Sequence, residues 1–315
     1  MAIMRKLRLI PDDMHVRFMW LRRFTFPLTI SLSILSALFF FTTGPEYGID
    51  FRGGSLLEIR PMAEYNLADI RSTLSGLNLG DVQVTEVSDL TGVSVLIRIA
   101  QQEGGDQAQQ VALNRVRDAF ADTVEFRRVE TVGPRVSGEL AYKGTLALAI
   151  TMLAIMVYVW LRFEWQFAVG AIIATAHDVL MTLGFFVVTR VDFNLASIAA
   201  ILTIVGYSLN DTVVVYDRVR ENLRKFKKMP LAALLDRSIN EMLPRTVQTS
   251  LTTVLALTAL FVFGGEVIRS FVAAMIFGVV VGTYSSIYIA APVLIYFKLR
   301  PQASLSETGE VAEQT

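Results

Sequence analysis

Three groups of polar residues interrupt long apolar runs, and each could carry chemistry in a place where water is scarce. The first lies in Ile198 to Asn222, IAAILTIVGYSLNDTVVVYDRVREN, where Asn210 and Asp211 sit inside a stretch apolar enough to cross a bilayer. A carboxylate at such depth costs about 2.5–3.5 kcal/mol on insertion scales, so it is expected to face a protein interior and to have a partner or a task there. The apolar run ends abruptly at Asp217-Arg218-Val219-Arg220-Glu221. At about 1.5 Å per residue, Asp211 lies roughly 9 Å below that boundary. Tyr207, Ser208, Asp211 and Val215 share one helical face. The second group is His177-Asp178, with Thr175 and Thr182 nearby. The third opens at Pro244-Arg245-Thr246 and continues with hydroxyls at Thr249, Ser250, Thr252 and Thr253.

Proton exchange is the chemistry these groups suit. Asp211 and Arg245 lie near the same ends of consecutive spans, so they could meet. A carboxylate held between an arginine, which favours its charge, and a dry surround, which opposes it, can bind and release a proton as water access changes. Plainer readings stand beside this one. His177-Asp178 could be a packing hydrogen bond, Arg245 a snorkelling interfacial side chain, and the hydroxyls helix-packing groups. Gly278, Gly282 and the Gly170-x3-Ala174 spacing read as close helix contacts. No Walker loop, nucleophile elbow or HExxH motif occurs, so ATP hydrolysis and acyl transfer have no home here. With no cysteine and only His15 and His177 as histidines, thiolate or histidine-rich metal sites and disulfides are excluded.

The elements that must position these groups are membrane helices. Of 315 residues 53% are hydrophobic and only 18% charged, which indicates several spans rather than a soluble domain. A net charge of zero argues against nucleic acid as a partner. Six apolar runs reach spanning length: Phe24–Phe41, Tyr142–Leu161, Trp165–Thr189, Phe193–Tyr216, Thr246–Phe263 and Phe271–Phe297. The first lacks a small-x-small cleavage site and reads as an uncleaved helix rather than a signal peptide. Arg5, Lys6, Arg8, Arg17, Arg22 and Arg23 precede it. Arg162, the eight basic residues from Arg218 to Arg245, Lys298 and Arg300 fall on the same side, whereas the opposite short loops carry only Arg190 and Arg269. The positive-inside rule places both termini in the cytoplasm. Between the fourth and fifth spans, Leu231, Leu234, Leu235, Ile239 and Met242 recur at helical spacing. They predict an amphipathic helix that either lies along the cytoplasmic interface or packs under the bundle.

Residues 44–139 differ in kind. Periodicity predicts strands at Ser55–Arg60, Val82–Val87, Ser94–Ile99 and Val124–Val132, and helices at Asn66–Leu77, capped by Asn66, and Gln107–Ala121. The order β-α-β-β-α-β is the ferredoxin-like pattern. The plan is therefore a basic cytoplasmic N-terminus (1–23), a first transmembrane helix (24–43) and an external ferredoxin-like α/β domain (44–139). Helices two to six follow over 140–300, with an amphipathic cytoplasmic segment at 217–244, and then a polar, disordered tail (301–315).

Several stretches together resemble the SecF family of bacterial protein-export membrane subunits. They are Gly48-Ile49-Asp50-Phe51-Arg52-Gly53-Gly54, the run from Val132 through Gly133, Pro134 and Gly138 to Leu140, and Ala176-His177-Asp178. To these add GYSLNDTVVVYDRVREN from Gly206 and Leu243-Pro244-Arg245-Thr246. The resemblance runs from the first span to about Arg300, with Ser137 as a small departure. It implies half of a bundle like that of the resistance-nodulation-division transporters, completed by SecD, in the bacterial inner membrane with residues 44–139 in the periplasm. It further implies work with the SecYEG translocon and SecA, with YajC and YidC, and on exported preproteins. The function implied is non-enzymatic and draws on the proton-motive force, with no cofactor besides protons. Asp211 and Arg245 would then be the proton-responsive pair, assisted by Asn210, His177 and Asp178. Protonation of Asp211 would weaken its bond to Arg245, shift spans three to five and move the external domain. Asp50, Phe51, Gly53, Gly54, Gly133, Pro134 and Gly138 would be structural. A small-molecule or lipid exporter of the same superfamily is the rival, and a scaffold whose polar residues only join helices is a third reading.

Overall fold

The computed structural model describes residues 14–62, 65–89, 92–297 and 299. Arg5, Lys6, Arg8, Lys298, Arg300 and the tail read as disordered (301–315) lie outside the described residues. Six helices are long and apolar enough to cross a membrane, and a four-stranded antiparallel sheet follows the first.

Helix α1 (Phe18–Thr42) leads through a short turn to α2 (Ile49–Arg52). The sheet domain then runs β1 (Gly54–Pro61), α3 (Leu67–Gly76), β2 (Val82–Asp89), β3 (Gly92–Ile99), α4 (Gly105–Phe120) and β4 (Val124–Val132). Its strand order β2-β3-β1-β4 is the ferredoxin-like one. Alternation decides its core. Leu57, Ile59, Val95, Ile97 and Ile99 point to one face and pack under Ile70, Leu74, Leu113 and Val116 of the two helices. Asn66 caps α3 by accepting from the backbone N–H of Ala68 at 2.9 Å.

The bundle continues with α5 (Pro134–Arg162), α6 (Trp165–Thr189), α7 (Leu195–Lys225), α8 (Leu231–Phe263) and α9 (Arg269–Ser285). After α9 the same span runs on through a π-turn at Ser286–Ala290 into α10 (Ala291–Tyr296). Helices α6, α7 and α9 bury the most surface; α1, α5 and α8 lie around them with outward faces bare. Two apolar clusters fill the bundle. Phe186, Ile204, Met275 and Val279 pack at the end nearer the sheet. Phe163, Phe167, Tyr216, Leu234, Leu235 and Leu294 pack at the opposite, basic end.

Two differences from the sequence reading have physical causes. The segment after α7 forms a single helix with the fifth span, since Pro244 sits inside α8, where it removes one backbone hydrogen bond without ending the helix. Of the two placements the sequence left open for its first part, the structure has the one beneath the bundle, with Leu234, Leu235 and Ile239 buried. Helix α7 likewise keeps its turn past Tyr216 to Lys225, since Lys225 and Arg218 pair with Glu221 on its surface.

Candidate functional site

The site is built where α6, α7, α8 and α9 pass one another. Small residues let them approach: a Cβ on Gly278 would lie 2.3 Å from Ile204, and one on Gly282 would lie 2.9 Å from Ser208. Glycines on α9 thus press it onto α7, as their spacing predicts.

Asp178, on α6, is completely buried. Its Oδ1 lies 2.9 Å from His177 Nδ1. Its Oδ2 accepts from Ser208 Oγ on α7 and, at 2.8 Å, from Ser285 Oγ on α9. One carboxylate therefore ties three helices together. Two further bonds continue this ladder up α7, each one turn apart. Thr212 Oγ1 meets Ser286 Oγ at 3.1 Å, and the Tyr216 hydroxyl donates to the carbonyl of Ala290 at 3.0 Å. Both land on the π-turn, the first on a side-chain hydroxyl and the second on a backbone carbonyl that the widened turn leaves available.

Asp211 lies one turn from Ser208, also buried. Unlike Asp178, it is incompletely satisfied: its Oδ2 has no hydrogen-bond partner. The groups that act on it are the Thr283 hydroxyl of α9 and, at longer range, the Arg245 charge. Thr283 Oγ1 in turn shares a 2.6 Å hydrogen bond with Ser250 Oγ of α8. The direct Asp211–Arg245 bond expected from sequence is absent among the described residues. Arg245 directly follows Pro244 and is exposed on the outer face of α8, as are Gln248, Thr249 and Thr252. Asn210 is exposed on the outer face of α7. Of the five candidates, the structure joins His177 to Asp178, keeps Asp211 in a neighbouring compartment, and leaves Asn210 and Arg245 facing outward. Thr283, Ser285 and Ser286 were missed by sequence reasoning. The only signal for them was a run of hydroxyls in an otherwise apolar span.

The motif around Asp50 forms a second, joining site at the sheet end. The chain from Glu46 to Gly48 pairs with Phe193: the N–H of Phe193 donates to the carbonyl of Glu46 at 2.7 Å, and that of Gly48 to the carbonyl of Phe193 at 2.8 Å. Phe51 stacks on Phe193 with centroids 5.7 Å apart. Asp50 Oδ2 accepts from the N–H of Leu195, the first residue of α7, at 2.9 Å. Gly53 and Gly54 have φ of +73° and +108°, and a Cβ on Gly54 would stand 2.3 Å from the carbonyl oxygen of Ile99. Gly133 is less constrained, with an ordinary φ of −72° and only the movable side chain of Asp106, whose Oδ1 would lie 2.4 Å from a Cβ, in the way, and Pro134 starts α5. Nothing lies within 4 Å of a Cβ placed on Gly138, so packing does not require a glycine there. Arg98 on β3 pairs with Asp192, and Arg190 pairs with Glu46 at 2.9 Å. The first of these ion pairs ties the sheet to the loop between α6 and α7, and the second ties that loop to the link between α1 and α2, beside a cleft of about 850 Å³.

Residues 112–300 match the family described as "Protein export membrane protein SecD/SecF, C-terminal", and residues 38–61 match the "SecD/SecF GG Motif". The chain belongs to the SecD/SecF family. Within it the likeness is to SecF-type translocase subunits. The chain is 43% identical to "Protein translocase subunit SecF" of Cereibacter sphaeroides, with 92% of each chain covered. It is 42% identical to that of Rickettsia akari, over 93% of this chain and 96% of the relative. "Protein translocase subunit SecDF" of Brucella abortus is 46% identical over 95% of this chain, which spans only 39% of that longer protein. Among solved structures, SecDF from Thermus thermophilus, titled a translocon-associated membrane protein, matches with a TM-score of 0.81 at 34% identity. That match covers 93% of this chain and 40% of the other. A SecDF structure in a "super-membrane-facing form" gives 0.68 at 35% identity, over 94% and 40%. The names of these relatives do not favour the small-molecule exporter reading.

Proposed function

We propose that this chain is the SecF-type half of a proton-driven accessory complex that helps preproteins leave the Sec channel. The observation that carries the proposal is the unpartnered Oδ2 of buried Asp211. A carboxylate oxygen with no donor in a dry bundle is costly while charged and inexpensive once protonated. Asp211 takes up and releases the proton. Arg245 acts on it through space and from outside, so protonation changes a long-range attraction instead of breaking a bond. Asp178, with His177, Ser208 and Ser285, holds α6, α7 and α9 in register around it.

The partner is SecD. Asn210 on α7 and Arg245 and Gln248 on α8 are polar side chains exposed on the outside of the bundle, where lipid would offer them no partner. A second six-span unit covers these side chains and brings its own carboxylate toward Asp211. The complex resides in the bacterial inner membrane with both termini cytoplasmic and residues 44–139 periplasmic, beside SecYEG and SecA, with YajC and YidC as further neighbours. A membrane potential supplies about 2.3 kcal/mol per charge per 100 mV, enough to bias a two-state element with each proton. Motion of α7 reaches the sheet domain through Asp50 and the Phe193 pairing.

The test is preprotein export in vesicles carrying Asp211→Asn, with and without a proton gradient, once assembly with SecD is verified. Loss of the gradient-dependent part, with assembly intact, is the expected outcome. Unchanged export would reduce Asp211 to a helix-packing group.

A further inference from the structure

Helix α8 is continuous, yet its two parts are held in opposite ways. The arm from Leu231 to Leu243 is anchored. Leu234, Leu235, Ser238 and Ile239 are exposed by 1% or less. Asp236 Oδ1 accepts from the N–H of Met19 at 2.8 Å. Met19 is the second residue of α1, whose own flank supplies no side-chain cap, so Asp236 performs from α8 the task a local capping residue performs. Asn240 grips the preceding backbone from both sides, accepting from the N–H of Val16 at 3.0 Å and donating to its carbonyl at 2.8 Å. On α7, Asn222 donates to Ser238 and Glu241, and Arg218 donates to Glu241 at 2.6 Å. Arm, α1 and α7 thus form one block at the basic end.

The limb from Arg245 to Phe263 is held on its inner side alone, where Ser250 shares a hydrogen bond with Thr283 of α9 and Tyr207 of α7 donates to Thr253. Only Thr246 and Ser250 are buried in it, and Leu251, Leu255, Leu260 and Phe263 are exposed. Between arm and limb stands Pro244. It has no N–H to give to the carbonyl of Asn240 four residues earlier, and its ring crowds that carbonyl, so one rung of the helical ladder is missing where clamp meets limb.

We propose that Pro244 is a pivot, with the arm fixed to α1 and α7 while the limb swings against α9 as the charge state of Asp211 changes. The proposal rests on the coupling role of Asp211. Arg245, the first residue beyond the pivot, and Thr283 of α9, to which Ser250 of the limb is hydrogen-bonded, are the groups that act on Asp211. The limb is about 27 Å long, so a tilt of about 10° carries its far end about 5 Å. That end lies beneath the sheet, where Phe261, Glu266 and Arg269 line the cleft.

Absence of cysteine in the chain makes engineered pairs unambiguous, provided the partner subunit is also freed of cysteine. The assembled complex in liposomes would carry spin labels at Ala233→Cys on the arm and Ala256→Cys on the limb, both exposed. The distance distribution is expected to shift when a proton gradient is applied. Pro244→Ala, which restores the missing rung, is expected to narrow it at least twofold. The same variant should lower gradient-dependent export at least threefold with assembly unchanged. Separately, a Val16→Cys/Asn240→Cys disulfide should leave gradient-dependent export within twofold, because the clamp stays closed throughout. A distribution unaltered by Pro244→Ala, or export abolished by the disulfide, overturns the pivot. If Asp211→Asn leaves export intact while Pro244→Ala still narrows the distribution, the pivot stands and the coupling reading fails.

Discussion

Asp50 and Leu195 are 145 residues apart, yet the carboxylate of the first accepts from the backbone N–H of the second at 2.9 Å. Leu195 is the first residue of the helix that carries Asp211. Asn194 already caps the N–H of Ser197 on the same end, so the two side chains satisfy two of the donors that a helix start leaves open. A negative charge there also complements the helix dipole. Asp50 sits on the four-residue helix that runs straight into β1, so the sheet domain and α7 share a joint.

Replacing Asp50 by alanine is expected to cost about 1 kcal/mol, the usual value of a lost cap. Asp50→Asn should retain most of it. Hydrogen exchange in the first turn of α7 checks both, with about fivefold faster exchange expected for alanine only.

Asp178 receives bonds from three neighbours in a dry interior. Asp178→Ala leaves Ser208 and His177 without their partner, and Ser285 with only the carbonyl of Gly282, and should destabilise the complex by about 3–5 kcal/mol, the range for removing one member of a buried charged network. Asp178→Asn keeps an acceptor oxygen for the two serines and can meet His177 with its amide, so its cost should stay near 1 kcal/mol. Thermal unfolding of the purified complex distinguishes them. Equal losses for both variants would show that charge, rather than hydrogen bonding, holds the three helices.

Gly54→Ala places a methyl 2.3 Å from the carbonyl of Ile99 on a backbone with φ of +108°. Strain of this kind costs about 1–3 kcal/mol before the clash is counted. The sheet domain should therefore become sensitive to limited proteolysis, with cuts in β1 and β3. Gly138→Ala, where a methyl meets nothing within 4 Å, should leave the pattern unaltered.

At the α7–α9 crossing, a Cβ on Gly278 meets Ile204 at 2.3 Å. Gly278→Ala should force the helices apart at a cost of about 1–3 kcal/mol. Ile204→Val in the same chain should recover part of that loss, measured as recovery in Tm of the complex.

The sheet domain was legible because its strands alternate cleanly. Leu57 and Ile59 must go inward wherever Leu56 and Glu58 go outward, and four such runs with two helices, one of them capped by Asn66, admit few arrangements. Spans were legible from length and apolar content. The same signal blurs their ends, since α5 begins at Pro134, eight residues before its apolar run, on the strength of a proline at its first turn. Asp211 and Asp178 stood out because carboxylates are rare in such surroundings. Their partners did not, because Thr283 and Ser285 are ordinary residues in a membrane helix and acquire meaning only through the rotation of α9. The expected Asp211–Arg245 bond failed for a related reason: proximity in depth does not fix direction around a helix, and Arg245 lies on the exposed side of α8 while its neighbour Thr246 faces inward. The sequence marked the Asp50 stretch as a motif. It did not reveal α2, which is too short to show a period, or the cap on α7, which joins residues far apart.

The bond from Met19 to Asp236 bears on how the protein is made. Asp236 is synthesised 217 residues after Met19. At the usual 5–20 residues per second, the ribosome needs roughly 10–40 s to cover that distance. Through that interval α1 is already threaded into the lipid with its first turn uncapped, and Val16 has no Asn240 to hold it. The first span to be inserted is thus among the last to be fastened, and a chain truncated before α8 leaves it permanently unfastened.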